Sequence, residues 1–272
     1  MTVCIAAISE EDSSIIFVSD KMLSSQLLGG FEMNFNKYLT AGNTILLFAG
    51  ETTNQTEIES RLKKHIESSK KKTQTLTVEE VVEGVQEIVA QMREELIEEY
   101  LERYGLTFEQ AKNLIVTQPQ NEIHAAILKV LNTVSINSQI IAAGFDKDGK
   151  PRIYGLDAVH ELVKFNFNDF SGIGMHAIGS GAIQALNALL FARYSKKLST
   201  AKVLYHLYAA KKHAEVAQGV GEDTDMYIFK NDGTLTPITQ NDVLKHYEKE
   251  LKAKERALDT FEEIWNGKKS SK

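Results

Sequence analysis

Two hydrophobic periods alternate along the chain, and they mark out its elements. Residues 3–8, VCIAAI, and 14–20, SIIFVSD, are runs rich in β-branched residues, separated by the turn cluster SEEDS. That pattern predicts a β-hairpin. A second pair, FNKYLTAG and NTILLFAGE, meets at Gly42-Asn43, so the chain is expected to open with four antiparallel strands. The period then changes. Ile58, Leu62 and Ile66 recur at four-residue steps, the mark of one helical face. TVEE at Thr77–Glu80 is a capping-box pattern, and Val81, Val85, Ile88, Met92, Leu96 and Tyr100 carry the helix it opens towards Gly105. TFEQ at Thr107 opens another short helix, whereas NEIHAAILKVLNTVS at 121–135 fits helix and strand equally well.

Strand patterns return in SQIIAAGFD, PRIYGLD, HELVKFNFND and MHAIGS. Two helices follow, GAIQALNALLFARYS and STAKVLYHLYAAKKHAEVAQ, then a hairpin turning at Asp232-Gly233. From about Asn241 the tail reads as a charged amphipathic helix with Leu251, Leu258 and Trp265 as docking points. This order lacks the alternation of a parallel βαβ fold. It predicts an α+β fold, a four-layer αββα sandwich in which helix pairs cover two antiparallel sheets.

Composition narrows the function classes. At 272 residues, 43% hydrophobic and 25% charged, the chain can bury a large core. A net charge of -6, with no basic stretch interleaved with aromatics, argues against nucleic-acid binding. Cys4 is the only cysteine, so neither an internal disulfide nor a multi-cysteine zinc site can form. The first residues lack the basic start and apolar core of a secretory signal, and no apolar run could span a bilayer. A cytoplasmic protein without membrane attachment is expected.

Candidate chemistry begins at the second residue. Threonine is small enough for the initiator methionine to be removed, which would leave Thr2 with a free α-amine beside its hydroxyl. Such an amine has a pKa of roughly 7.7–8.0 and can act as a base near neutrality. It can take the proton of its own alcohol and so activate a poor nucleophile. Asp20 ends the second strand and Lys37 falls at the start of the third. If their strands neighbour Thr2 in one sheet, the lysine can hold down the hydroxyl's pKa and the aspartate can orient the lysine. Strand alternation aims Lys21 to the other face from Asp20. Gly50 ends an apolar strand, where its N–H could face an acyl oxygen, and Ser180 in IGSG sits as a helix N-cap.

Taken in order, these elements resemble the proteasome β-subunit superfamily of N-terminal-nucleophile hydrolases, in particular its HslV-like and bacterial ancestral β-subunit branches. The matching positions are Thr2, the Asp20 of VSDKM, the Lys37 of FNKYL, the Gly50 of LLFAG and the Ser180 of IGSG. IIAAGFDKDGKPRIYGLD is similar to that family's fifth and sixth strands. The resemblance covers about three quarters of the chain. It implies the αββα sandwich and a threonine endopeptidase acting through an acyl-enzyme on Thr2, with no cofactor and no metal. Asp20 and Lys37 would support the nucleophile, Gly50 would donate to the oxyanion, and Ser180 would bond near the terminal amine. Phe48 would line the substrate pocket, unless it is core, and the Ser24 backbone would pair with substrate. Asp223 in GVGEDTDMY is a weaker candidate, because the serine that usually accompanies it is missing. Met22 stands where the family usually has arginine. Against that family, residues 1–240 form one domain with a helical elaboration at about 97–138, and 241–272 is a C-terminal helical extension.

The implied partners are a peptide or unfolded-protein substrate and other copies of the chain in a ring or other multimer, with an ATPase as a further candidate. Two other readings share the fold: a catalytically inactive structural subunit and a small-molecule amidohydrolase. The seven histidines are scattered without metal-ligand spacing, and His176 and His213 read as structural.

Overall fold

The computed structural model describes residues 2–25, 29–32, 35–68, 76–117, 122–158 and 167–270. One five-stranded antiparallel sheet has the order β10-β1-β2-β11-β12, from strands β1 (Val3–Ser9), β2 (Ser14–Asp20), β10 (Met175–Gly179), β11 (Thr224–Lys230) and β12 (Leu235–Ile238). The other, in the order β5-β6-β7-β8-β9, contains β5 (Tyr38–Ala41), β6 (Thr44–Gly50), β7 (Ser138–Phe145), β8 (Pro151–Asp157) and β9 (Asn168–Asp169). Helices α1 (Thr52–Ser68) and α2 (Val78–Glu102) cover the second sheet, and α5 (Ala182–Phe191) and α6 (Thr200–Ala214) cover the first. These are the four layers αββα.

Side-chain alternation shows why the strands read as continuous apolar runs. In β1, Val3, Ile5 and Ala7 pack under α5 and α6, while Cys4, Ala6 and Ile8 face the second sheet. In β6, Leu46 and Phe48 face α1 and α2, while Ile45, Leu47 and Ala49 face the first sheet. Both faces of β1, β2 and nearly all of β6 are buried, so no polar alternation survives in them. Each fully buried isoleucine or phenylalanine contributes roughly 1.5–3 kcal/mol relative to exposure.

The four antiparallel strands expected at the start form, but they divide between the two sheets. The first hairpin belongs to one sheet and the second to the other, and a separate pair, β3 (Met22–Ser25) with β4 (Gly29–Glu32), lies between them in sequence. The region that fits helix and strand equally well is helical. It forms α4 (Glu122–Thr133), which packs with α3 (Phe108–Thr117) and the end of α2 around Ile97, Leu101, Ala111, Ile127 and Val134. Both capping boxes form, at Thr77–Glu80 and at Thr107–Gln110. The stripe of α2 ends on Ile97 and Leu101 rather than on Tyr100, which is exposed. A four-residue step overshoots the 3.6-residue turn, so the buried line drifts around the helix. Most of the strand expected over 160–169 lies outside the described residues. The tail helix α7 (Gln240–Ser270) docks through Val243, Leu244 and Tyr247. Leu251, Leu258 and Trp265 are exposed, so they do not dock on the chain's own core as expected. Among the described residues no helix is long and apolar enough to cross a membrane.

Candidate active site

Thr2 stands at the mouth of β1, at one end of the sandwich, and is buried. Asp20 ends β2, beside it in the same sheet. Lys37 comes from elsewhere. It immediately precedes β5, so its ammonium reaches Thr2 across the gap between the sheets rather than along one sheet's edge. The three side chains meet with little access to solvent: Thr2 is 3%, Asp20 1% and Lys37 4% exposed.

Asp20 is the hub. Its Oδ1 accepts from the Thr2 hydroxyl, from the Val3 N–H at 2.9 Å and from Lys37 Nζ at 2.9 Å. Its Oδ2 accepts from the N–H groups of Met22 and Gly221, each at 3.1 Å. Lys37 Nζ also donates to Thr2 Oγ1 and, at 2.7 Å, to the Met22 carbonyl. A buried ion pair needs its remaining lone pairs and protons satisfied if it is to persist, and here they are. The threonine oxygen thus donates to a carboxylate and accepts from an ammonium, the arrangement that favours charge developing on oxygen. Met22, where the resembling family has arginine, takes part through both of its backbone groups.

Gly50 lies at the end of β6 with φ +132°, and a Cβ there would sit 2.2 Å from the Asn137 carbonyl oxygen. Only glycine fits. Glu51 N–H bonds back to Asn137 on β7's side of the strand, and Phe48 N–H bonds to Lys37 on the other. Alternation therefore turns the Gly50 N–H to Lys37's side, beyond the end of β5.

Ser180 is not the helix cap expected of it. Gly181 occupies the N-cap of α5, with no side-chain cap bond. The Ser180 hydroxyl lies 3.4 Å from the Thr2 carbonyl and 3.1 Å from that of Gln218. A cap would use the serine oxygen as an acceptor for helix N–H groups; here the hydroxyl donates to two backbone carbonyls from one residue before the cap. Gly179, at φ +93°, lets the Thr2 carbonyl approach to where a Cβ would be 2.2 Å away.

Other expected residues divide. Asp223 is exposed, and the group this loop offers the Asp20 carboxylate is the N–H of Gly221. Phe48 is 3% exposed and packs under α1 and α2, so it is core and not a pocket wall as expected. Ser24 pairs with Gly30 in the β3–β4 ladder; its side chain lies outside the described residues. Lys21 pairs with Asp225 at 3.0 Å, away from the site as alternation requires. Met1 also lies outside the described residues. Cys4 is fully buried, its Sγ 3.4 Å from the Phe48 carbonyl, and burial pushes its thiol up to about 12, so it stays protonated. Among the described residues no three histidine, cysteine or carboxylate side chains converge as a metal site would require.

Sequence reasoning missed Gly221 and Gln139. Gln139 reaches from β7 across the sandwich, accepting the Gly179 N–H on its Oε1 at 2.8 Å. A glycine in a Gly-Val-Gly turn and a glutamine inside an apolar strand were the only signals of them in the chain.

No protein-family model matches the chain, and no curated protein matches it. Among solved structures it is similar to the Gly-1 mutant of Anbu from Hyphomicrobium sp. strain MC1, with a TM-score of 0.62 and 12% identity. The match covers 95% of this chain and 100% of that one. The chain shares that structure's fold, the αββα sandwich described above. At this identity the likeness speaks to the fold alone, so the chemistry rests on the site geometry.

Proposed function

We propose that the protein is a threonine-type N-terminal-nucleophile peptidase, active once Met1 has been removed. The observation that supports this most is the position of Lys37 Nζ, which donates at once to Thr2 Oγ1 and to the buried Asp20 carboxylate. A scaffold has no need to bury an ammonium against a hydroxyl, because desolvating it costs several kcal/mol. In the reaction, the freed α-amine takes the Thr2 hydroxyl proton through one water while Oγ1 attacks the peptide carbonyl. Lys37 favours the developing alkoxide and Asp20 fixes Lys37. The Gly50 N–H stabilises the oxyanion. Collapse of the tetrahedral intermediate breaks the C–N bond, and the amine returns its proton to the leaving group. Water then hydrolyses the Thr2 ester by the same route. Ser180 steadies the Thr2 carbonyl beside the terminal amine, Asp223 is a weaker candidate for a supporting carboxylate, and the β3 backbone at Ser24 pairs with an extended substrate.

The catalytic unit in this reading is residues 1–240, with 97–138 as a helical elaboration and 241–272 as an extension. It works in the cytoplasm as a multimer. Exposed apolar side chains on and beside α5 support assembly: Ile173 is 61%, Ile183 72%, Leu190 63% and Phe191 88% exposed. So do Leu258, Phe261, Ile264 and Trp265 on α7, each more than half exposed. Large apolar side chains left exposed in such numbers are what an interaction surface would cover.

Intact-mass spectrometry before and after a peptide epoxyketone tests the chemistry, since that electrophile consumes the hydroxyl and amine of one N-terminal threonine. Loss of Met1 and a single adduct on Thr2, absent in Thr2→Ala, is expected. A retained Met1, or a free Thr2 that takes no label, would make the protein a proteasome-shaped structural subunit instead.

A further inference from the structure

Lys211 on α6 is fully buried, at 0% exposure, among Leu207, Tyr208, Ala210 and Ala214. Lysine is almost never fully buried unless it is paired. Its Nζ donates to Glu215 Oε1 at 2.7 Å and to the Glu222 carbonyl at 2.6 Å. Burial pulls the ammonium below the ordinary lysine range, and Glu215 opposes that pull.

Those two acceptors sit at the two ends of the segment that joins α6 to β11. Within it, the backbone bonds are the short turns Ala217 N–H to Ala214 and Val220 N–H to Ala217. From the same segment two groups reach the candidate site. Gly221 N–H donates to Asp20 Oδ2 at 3.1 Å, and the Gln218 carbonyl accepts from Ser180 Oγ at 3.1 Å. Asp20 holds the Thr2 hydroxyl, and Ser180 lies against the Thr2 carbonyl. An apolar side chain could fill the Lys211 position without the desolvation penalty of a buried ammonium. What lysine adds is a tie across the segment.

We infer that Lys211 is a positioning residue: it clamps residues 215–222 end to end, so that Gly221 is held on Asp20 and Gln218 on Ser180. Its catalytic consequence rests on the threonine chemistry proposed above, whereas the clamp itself does not. The geometry of a reacting group must be held within fractions of an ångström by the groups behind it, so loosening the segment should cost rate rather than fold.

The test uses the full chain with Lys211→Met and Glu215→Ala, and with Lys212→Met as control, because Lys212 Nζ also pairs with Glu215 Oε1 at 2.8 Å. Hydrogen–deuterium exchange is followed by mass spectrometry over 215–223 and over β1 and β2. The labelling rate of Thr2 by a β-lactone is measured in parallel. Exchange at least tenfold faster in 215–223, with β1 and β2 unchanged and labelling slowed at least tenfold, is expected. Unchanged exchange in both variants overturns the clamp. Faster exchange with labelling at the wild-type rate overturns the positioning role. Should the wild type take no label, the threonine reading fails, and faster exchange would still establish the clamp. If Lys211→Met does not fold, Glu215→Ala decides by the same readings, provided that Lys212→Met leaves them at the wild-type level; an equal change in Lys212→Met overturns the clamp.

Discussion

Asp20→Asn removes one charge from the hub of the site, and its cost can be worked from the bonds it breaks. The carboxylate accepts from Thr2, Val3 and Lys37 on one oxygen and from Met22 and Gly221 on the other. An asparagine must place its NH₂ at one of these two positions. Either way, donors face donors, and the Lys37 ammonium is left buried without a counter-charge. Removing one partner of a buried ion pair costs about 3–5 kcal/mol. Against a typical domain stability of about 5–15 kcal/mol, that is a large fraction. In a domain of this size it corresponds to a drop of roughly 6–20 °C in melting temperature. Urea denaturation of the wild type, Asp20→Asn, Lys37→Met and the double variant measures it as a cycle. The double variant, which removes both charges, should regain most of the loss, because a buried pair replaced by neutral groups is often nearly neutral. A single Asp20→Asn loss below about 1 kcal/mol, or strictly additive losses in the cycle, would refute the hub argument.

Gly50→Ala should destabilise the fold by roughly 2–5 kcal/mol, from a disfavoured positive φ and overpacking together. The new Cβ would meet the Asn137 carbonyl oxygen at 2.2 Å with φ held at +132°; a stability loss in urea denaturation below about 1 kcal/mol, closer to that of a surface substitution, would contradict that geometry. Stability should also depend on His176, which burial holds down at about 4 against its ordinary 6.5. The folded imidazole stays neutral while the unfolded one takes a proton, so stability is lost as pH falls from about 6.5 to about 4. The loss is about 3 kcal/mol at most, and His176→Gln, compared by denaturation at several pH values, should remove that part of the acid slope. An unchanged slope would mean that the stacking of His176 on Phe170, at 3.8 Å between ring centres, does not keep protons out.

How much of this was readable from the chain depends on the range over which each feature is determined. The capping boxes at Thr77 and Thr107, the Asp-Gly turn at 232–233 and the apolar strands came through, because each is decided within a few residues. Sheet membership did not. Nothing between Asp20 and Lys37 announces that the chain leaves one sheet, forms the β3–β4 pair and enters the other sheet. Two hairpins in succession look alike whether they share a sheet or face each other, since β1, β2 and β6 are buried on both faces and show no polar side. For the same reason Phe48 could be assigned to core or to pocket: only the parity of β6 against two different layers decides, and parity has meaning only once the layers are known.

The candidate site was legible in its side chains and illegible in its backbone. Thr2, Asp20 and Lys37 are visible because hydroxyl, carboxylate and ammonium groups stand out in apolar strands. Yet three of the five donors on Asp20 are main-chain N–H groups, from Val3, Met22 and Gly221. Such donors carry no residue-type signature, so Met22 can occupy a position of the resembling pattern that usually holds arginine and still serve the site through its N–H and carbonyl. Ser180 went astray in the same way. Its hydroxyl is suited to a helix cap, but the helix begins one residue later and the hydroxyl donates to the carbonyls of Thr2 and Gln218, from positions 178 and 38 residues away. Substitutions that leave every polar side chain intact can therefore still dismantle the site. Gly221→Pro is the sharpest case: it deletes one N–H from Asp20 Oδ2 and no side chain at all. Thr2 labelling should fall with it at least tenfold, about the 1.4 kcal/mol that one hydrogen bond to a charged group is worth at the low end.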